Sequence, residues 1–348
     1  MIPAVSVVMA VFNGARFLPE TLASLQAQDM GDFEIVIVDD GSTDDTPRIL
    51  AAFAQGEPRC RILTQTNQGQ VAARNLGARS AKAPLIAWLD SDDIAEPERF
   101  SLQRAHLDAH PNLAAVGSSI RTIDEDSKVT ATVPYPAGPD KVAQAMRSGS
   151  ALAHSAVMMR RDIFLEIGGY REALLHAEDY DLWLRLLDGH SADNLPCPLV
   201  RYRMHGGSLS FRRRRQQSLA AFAARHCAAE RRAGRPDPLE GRRHPVGDEI
   251  FSEWTIGQAE EAAFRMECLA AALHPAGQPI EEAWLADNLR RSWELRRHLP
   301  RGRHVRRCLI PYVRRAWSLR RWTESLGWLT RAFSRQPMAA SWRLLGGK

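Results

Sequence analysis

Apolar residues follow two rhythms along this chain. Over residues 4–12 (AVSVVMAVF) they run almost unbroken and are rich in valine, the pattern of a strand buried on both faces of a parallel sheet. A helix is predicted next, over 16–28, with Leu18, Leu22 and Leu25 at helical spacing. The rhythms then alternate. FEIVIV (33–38) reads as a strand, and 46–53 as a helix with Thr43 and Asp44 available as caps. CRILT (60–64) is a strand, 70–81 a helix and PLIAWL (84–89) a strand. Alternation at this pace predicts βαβ units, a parallel sheet and right-handed crossovers.

Beyond residue 96 the pattern loosens. A helix over 97–109 precedes a strand over 113–120. Residues 121–140 carry Pro134, Pro136 and Pro139 and read as a hairpin or loop. A strand over 155–161, a helix over 178–188 and a last strand over 198–205 follow. After Phe211 comes the run Arg212–Arg215, then helices rich in Ala, Leu and Arg over 216–234, 249–273, 281–298 and 303–345. The organisation predicted is an α/β domain over 1–215 and a helical, basic region over 216–348.

Charge sharpens that division. The 348 residues carry a formal net charge of +5, but unevenly. Residues 301–348 hold 12 Lys and Arg against one acid, Glu324, so residues 1–300 are mildly acidic and the tail strongly basic. Five scattered cysteines without C-x-x-C spacing exclude a disulfide scaffold and a structural zinc module, and suit a reducing compartment. Neither a signal peptide nor an 18-residue apolar run is found.

In an open α/β sheet, ligands bind beyond the carboxyl ends of the strands. Two acidic clusters fall there: Asp39-Asp40-Gly41-Ser42-Thr43-Asp44 after the second strand, and Asp90-Ser91-Asp92-Asp93 after the fourth. Clustered carboxylates repel unless neutralised, and Mg²⁺ or Mn²⁺ is a usual neutraliser that also bridges to phosphates. The plainer reading gives such aspartates turn and capping roles, and it competes evenly for Asp39 and Asp44. A dinucleotide fingerprint, a P-loop and an aspartyl-phosphate nucleophile after the first strand are all absent.

Six segments resemble the signature segments of family 2 glycosyltransferases. They are VSVVMAVFNGARFLPETLASLQAQ, FEIVIVDDGSTDDT, NQGQVAARNLG, IAWLDSDDIAEPERF, AEDYDLWLRL and YRMHGGSLS, in the family's order over residues 3–211. The resemblance implies a GT-A fold, a Rossmann-like, mostly parallel sheet flanked by helices, here with a helical C-terminal extension. It implies an inverting transfer of sugar from a nucleotide-diphospho-sugar to an acceptor hydroxyl, in a bacterial surface polysaccharide or glycolipid pathway. A divalent cation, Mn²⁺ or Mg²⁺, is the implied cofactor.

Residue by residue, Val11 and Phe12 match the positions flanking the nucleobase, and Asp40 the carboxylate that bonds it. Asp90, Ser91 and Asp92 match the D-x-D segment, Asp90 facing the ribose and Asp92 the metal. Asp179 matches the catalytic base, with Glu178 the second choice and Asp181 assigned to the helix dipole. His205 matches a histidine near the diphosphate or metal. Arg74 is a nucleotide-side candidate, against the plainer reading of a helix-surface cation. His154 is an acceptor-side candidate.

The Arg212–Arg215 run reads as a solvated linker or as a lid over phosphates. Residues 303–345 interleave arginine with Trp317, Trp322, Trp328 and Trp342, as a packed helical hairpin or a peripheral membrane contact at the inner face of the plasma membrane. The protein expected is therefore a cytoplasmic, metal-dependent glycosyltransferase with a glycan or lipid-linked acceptor and no nucleic-acid partner. Two alternatives stand: a nucleotidyltransferase on a similar sheet, and an inactive glycan-binding or scaffold homologue.

Overall fold

The computed structural model describes residues 2–205, 214–258, 260–261 and 264–265. The chain falls into two units: residues up to Ser210 together with Leu219–Val246, and Phe211–Ser218 together with the residues from Gly247 onward.

The first unit opens with β1 (Val5–Val11), α1 (Leu18–Gln26), β2 (Phe33–Asp39), α2 (Thr46–Gly56), β3 (Cys60–Thr64), α3 (Gln70–Ser80) and β4 (Leu85–Trp88). β2 is buried at all seven positions and β4 at all four, as the unbroken apolar runs demand. α1 buries Leu18, Leu22 and Leu25 against the sheet. α3 comes close enough to β1 that a Cβ on Gly77 would lie 2.5 Å from Val8 Cγ1, so glycine is required there. Glu34, buried on β2, is satisfied there: it accepts hydrogen bonds from Ser6 Oγ and the Lys82 amide, both at 2.6 Å.

The second half of the sheet comprises β5 (Ile94–Ala95), α4 (Arg99–Ala109), β6 (Leu113–Ile123), β7 (Val129–Val133), α5 (Pro139–Ala145), β8 (Met158–Arg160), α6 (Arg161–Glu166), α7 (Glu178–Leu186) and β9 (Ser191–Arg203). The strand order is β3-β2-β1-β4-β8-β6-β9-β5, with β7 paired to β6. β3, β2, β1 and β4 are parallel, as predicted. β8 runs antiparallel to both neighbours, β4 and β6, and β5 antiparallel to β9, whereas β6 and β9 are parallel. The proline-rich stretch contains a hairpin strand, β7.

Two predicted strands are revised. The stretch expected as a strand over 155–161 forms β only over three residues, because α6 starts at Arg161. β9 begins at Ser191, earlier than the predicted 198, and passes through Pro196 and Pro198. Register shifts opposite Ser118–Ile120 absorb those prolines, which hide the strand's period in the sequence.

After Ser210, α8 (Arg214–Arg232) buries Leu219, Ala220, Ala223, Ala224, Cys227 and Ala228, a stripe of mostly small residues. The sequence placed 216–246 in the C-terminal region, but Leu219–Val246 belongs with the first unit. Ion pairs and a backbone bond to the loop before α7 hold it there, and neither shows in apolar periodicity. In the second unit the helix expected over 249–273 is α9 (Ile250–Glu253), interrupted at residues 254–257. The Arg212–Arg215 side chains and the helices expected over 281–298 and 303–345 lie outside the described residues. Among the described residues no helix is long and apolar enough to cross a membrane.

Candidate active site

The chain leaves β1 toward β2 on one side and reaches β4 on the other, so the sheet order reverses beside β1. The loops after β1, β2 and β4 meet at this switch point, where open α/β sheets bind ligands. Contact is close: a Cβ on Gly14 would lie 3.4 Å from Ser91 Oγ.

The loops after β1 and β2 are stitched together by local bonds. Asn13, at φ 51°, accepts from the Thr43 amide at 2.8 Å, and its own amide donates to Ser42 Oγ at 2.9 Å. Asp44 accepts from the Ala15 and Thr46 amides, and Asp39 from the Ser42 amide, which settles both as turn and bridging residues. Asp40 is buried and accepts three donors: Gln65 Nε2 at 2.7 Å and the Gln68 and Gly69 amides at 2.8 Å. Gly69 caps α3, so Asp40 also faces the positive end of that helix. A carboxylate has about four lone-pair sites, which leaves room for one further donor. Gly41 has φ +76°, and a Cβ there would meet the Asn67 amide nitrogen at 2.9 Å. The Phe12 ring stands 48% exposed at the loop's edge, while the Val11 side chain is buried in the core. The Val11 backbone carbonyl accepts from the Asp40 amide, and its Cγ2 lies against the Gly14 loop, 2.7 Å from where a Cβ on Gly14 would stand.

The loop after β4 is neutralised by side chains from distant elements. Arg74, on α3, donates to Asp90 Oδ1 and Glu178 Oε1, both at 2.6 Å. It is 9% exposed, which overturns the surface-cation alternative. Burial pushes the Asp90 carboxyl up, but Arg74 and then His154 outweigh it and hold Asp90 well below the usual carboxylate range. His154 lies with Nδ1 3.3 Å from Asp90 and Nε2 2.9 Å from the Tyr170 hydroxyl, packed against Trp88. It therefore backs the first aspartate of the D-x-D. Asp93 is buried, and burial followed by the charges of Asp92 and Asp90 raises its carboxyl well above the ordinary value.

Asp92 faces outward more than its neighbours, and His205 Nε2 lies 2.9 Å from its Oδ2. The His205 ring packs on Phe17, with centroids 4.9 Å apart. Among the described residues no three His, Cys, Asp or Glu side chains gather as a metal site. Asp92 and His205 converge as a pair, a donor set that suits a hard cation completing its shell from phosphate oxygens.

Across from these loops, α7 starts with Glu178 and Asp179. Glu178 is buried and bonded by Arg74 and by Gln70 Nε2 at 2.6 Å, and burial above all raises its pKa. Both of these bonds fall on Oε1 of Glu178. Asp179 is half-buried, and among the described residues its one hydrogen bond is from the adjacent Tyr180 amide at 2.7 Å. Burial, and then the charge of Asp179, raises the Tyr135 hydroxyl pKa, which puts that phenol in the same neighbourhood. Asp181 lies in the first turn of the helix, as expected, and is in addition fully buried and paired with Arg171 and Arg185.

Comparison with known proteins places the chain in a family. The family described as Glycosyl transferase family 2 matches residues 6–168. The amylovoran biosynthesis glycosyltransferase AmsE of Erwinia amylovora is 30% identical over 212 residues, 60% of this chain and 79% of the relative. The O-antigen biosynthesis glycosyltransferase WbnJ of Escherichia coli is 31% identical over 209 residues, 59% of this chain and 81% of the relative. The chain belongs to glycosyl transferase family 2. The crystal structure of S. aureus TarS 1–349 in complex with UDP-GlcNAc shares the fold, with TM-score 0.54 and 18% identity over 86% of this chain and 93% of that one.

In this glycosyltransferase the sequence reading missed several residues that shape the site. Gln65, Gln70 and Arg203 bond the carboxylates or the acidic loop directly, and the Tyr170 hydroxyl reaches Asp90 through His154. Arg203 is buried, with Nε donating to the Asp92 carbonyl at 2.9 Å and its amide to Asp93 at 2.8 Å. Its position in the segment YRMH was a signal, but only the histidine was weighed.

Proposed function

We propose that this glycosyltransferase transfers sugar with inversion from a nucleoside-diphosphate sugar to an acceptor hydroxyl, with Asp179 as general base. The observation that carries the reading is the contrast within one helical turn. Glu178 is buried and ion-paired, whereas Asp179 is half-buried and, among the described residues, bonded by no cation. A base must be within hydrogen-bond reach of the proton it takes and unengaged by other partners.

Asp179 accepts the acceptor hydroxyl proton as that oxygen attacks the anomeric carbon. The bond from that carbon to the diphosphate oxygen breaks, and the nucleoside diphosphate leaves from the opposite face. Asp40 and the exposed Phe12 ring hold the nucleobase, and Asp90, fixed by Arg74 and His154, faces the ribose. Asp92 and His205 would hold a divalent cation, Mn²⁺ or Mg²⁺, which offsets charge on the leaving diphosphate. Donor type is supported by the UDP-GlcNAc complex of TarS, and a surface-polysaccharide role by AmsE and WbnJ. A nucleotidyltransferase would want a basic triphosphate loop after β1; that loop offers Arg16, which is paired with Glu125 at 2.7 Å.

The test is release of nucleoside diphosphate from a panel of nucleotide-sugars, with Mn²⁺ or Mg²⁺, by wild type and Asp179→Asn. The reading expects turnover with at least one donor, falling about 10²–10⁴-fold in the variant. Equal turnover by both proteins, or no donor bound by either, overturns it.

A further inference from the structure

Two residues beyond the proposed base, α7 turns a carboxylate into the protein. Asp181 is fully buried, accepts from Arg171 through Nε at 2.9 Å and through Nη2, and from Arg185 Nε at 2.8 Å. Arg185 also donates to the Ile167 and Gly169 carbonyls, which fixes the loop ahead of the helix. Arg171 then reaches out of this cluster. Its Nη1 donates to Asp237 Oδ2 at 2.8 Å, an oxygen that also accepts Arg231 Nη1 at 2.7 Å. Arg231 Nε continues to Asp188 at 2.6 Å, just past the C-terminal end of α7. Nearby, the Val246 amide donates to the Ala173 carbonyl at 2.9 Å.

Residues 231–246 therefore grip the chain on both sides of the helix that carries Asp179. They lie beyond residue 211, where the resemblance to the family's motifs ends. In this network Arg171, Arg185 and Arg231 face Asp181, Asp188 and Asp237, and Arg232 adds a longer pair to Asp188 at 3.7 Å. Asp237 has its own anchor, its Oδ1 accepting the Leu239 amide at 2.9 Å. The backbone ahead of α7 needs such support: His176 has φ 77°, a left-handed conformation that a non-glycine residue keeps only when its surroundings impose it.

We propose that Leu219–Val246 is a brace for the catalytic helix and that Asp237 is a positioning residue for Asp179. The proposal rests on the reading of Asp179 as the base. Asp237 touches neither donor-side loop, so its loss moves the base and leaves donor binding in place. Misplacing a reacting group by about 1 Å costs on the order of a hundredfold, so a partial slackening of the helix should cost about tenfold.

The experiment measures kcat and donor KM for full-length wild type, Asp237→Asn, Asp237→Glu and Asp179→Asn, with thermal melts to establish folding. Asp237→Asn should lower kcat about tenfold with donor KM within about twofold, and Asp237→Glu should restore part of the loss. If Asp237→Asn fails to fold, Arg231→Gln removes one of the two ion-pair bonds to that carboxylate and should lower kcat about threefold. A folded variant with wild-type kcat, or one whose loss lies equally in donor KM, overturns the brace. Asp179→Asn separates the two readings: wild-type activity there removes the base itself, whereas an inactive Asp179→Asn beside a fully active Asp237→Asn removes only the brace.

Discussion

The two acidic loops at the carboxyl edge of the sheet carry similar residues and are satisfied in opposite ways. Asp39, Asp40 and Asp44 are held mainly by backbone amides of nearby loops. Asp90 and Asp92 are met by the side chains of Arg74, His154 and His205, which come from α3, the turn before β8 and the end of β9. Backbone donors are neutral and rigid, which suits a surface that recognises a base. Ionisable partners make the second loop responsive to charge, which suits a cation and a diphosphate.

Four substitutions break or sharpen that contrast. Arg74→Met has the largest expected effect, since it leaves Asp90 and Glu178 inside the protein without their shared cation. Breaking a buried pair costs about 3–5 kcal/mol, to be read from denaturant unfolding. An unchanged midpoint would mean that water or another donor already compensates the pair. Asp92→Asn should leave stability near wild type and lower kcat/KM about a hundredfold, with a raised Mn²⁺ requirement. The same activity at every Mn²⁺ concentration would remove Asp92 as a ligand.

In the first loop, Asp40→Asn replaces one acceptor oxygen by an NH₂ group facing the amides of α3. The expected cost is about 1–3 kcal/mol in stability together with weaker donor binding, and no change in metal requirement. A metal-dependent phenotype would erase the distinction between the loops. Asp93→Asn is the smallest. Burial and its acidic neighbours raise the Asp93 pKa, so the group favours folding below its unfolded value, and that advantage is lost as pH rises through the folded value. Asparagine mimics the protonated acid, so the variant should lie within about 1 kcal/mol of wild type near neutrality and lose less stability on the alkaline side. Steeper alkaline loss in Asp93→Asn than in wild type would refute the assignment.

The same contrast marks how far the sequence could be read. β1 to β4 and the helices between them were placed within a few residues, because unbroken apolar runs report burial on both faces of a strand. Asp40, Asp90, Asp92, Asp179 and His205 stand in motifs that keep their residue types and order, which is why the sequence singles them out as candidates. What was not legible was pairing. Arg74 meets Glu178 across 104 residues and His205 meets Asp92 across 113, and no local pattern records such distances. Glu178 and Asp179 look equivalent as neighbours in the first turn of a helix, yet successive helical positions point in different directions. One is buried against Arg74 and the other left half-exposed.

The sequence by itself determined the α/β alternation, the family and the two acidic loops, since each depends on residue type at short range. Only the tertiary structure decided which carboxylates are neutralised, that His154 stands behind Asp90, and that residues 219–246 return to the helix carrying Asp179. These outcomes depend on burial and on which charges share a low-dielectric space, and both are properties of the folded chain.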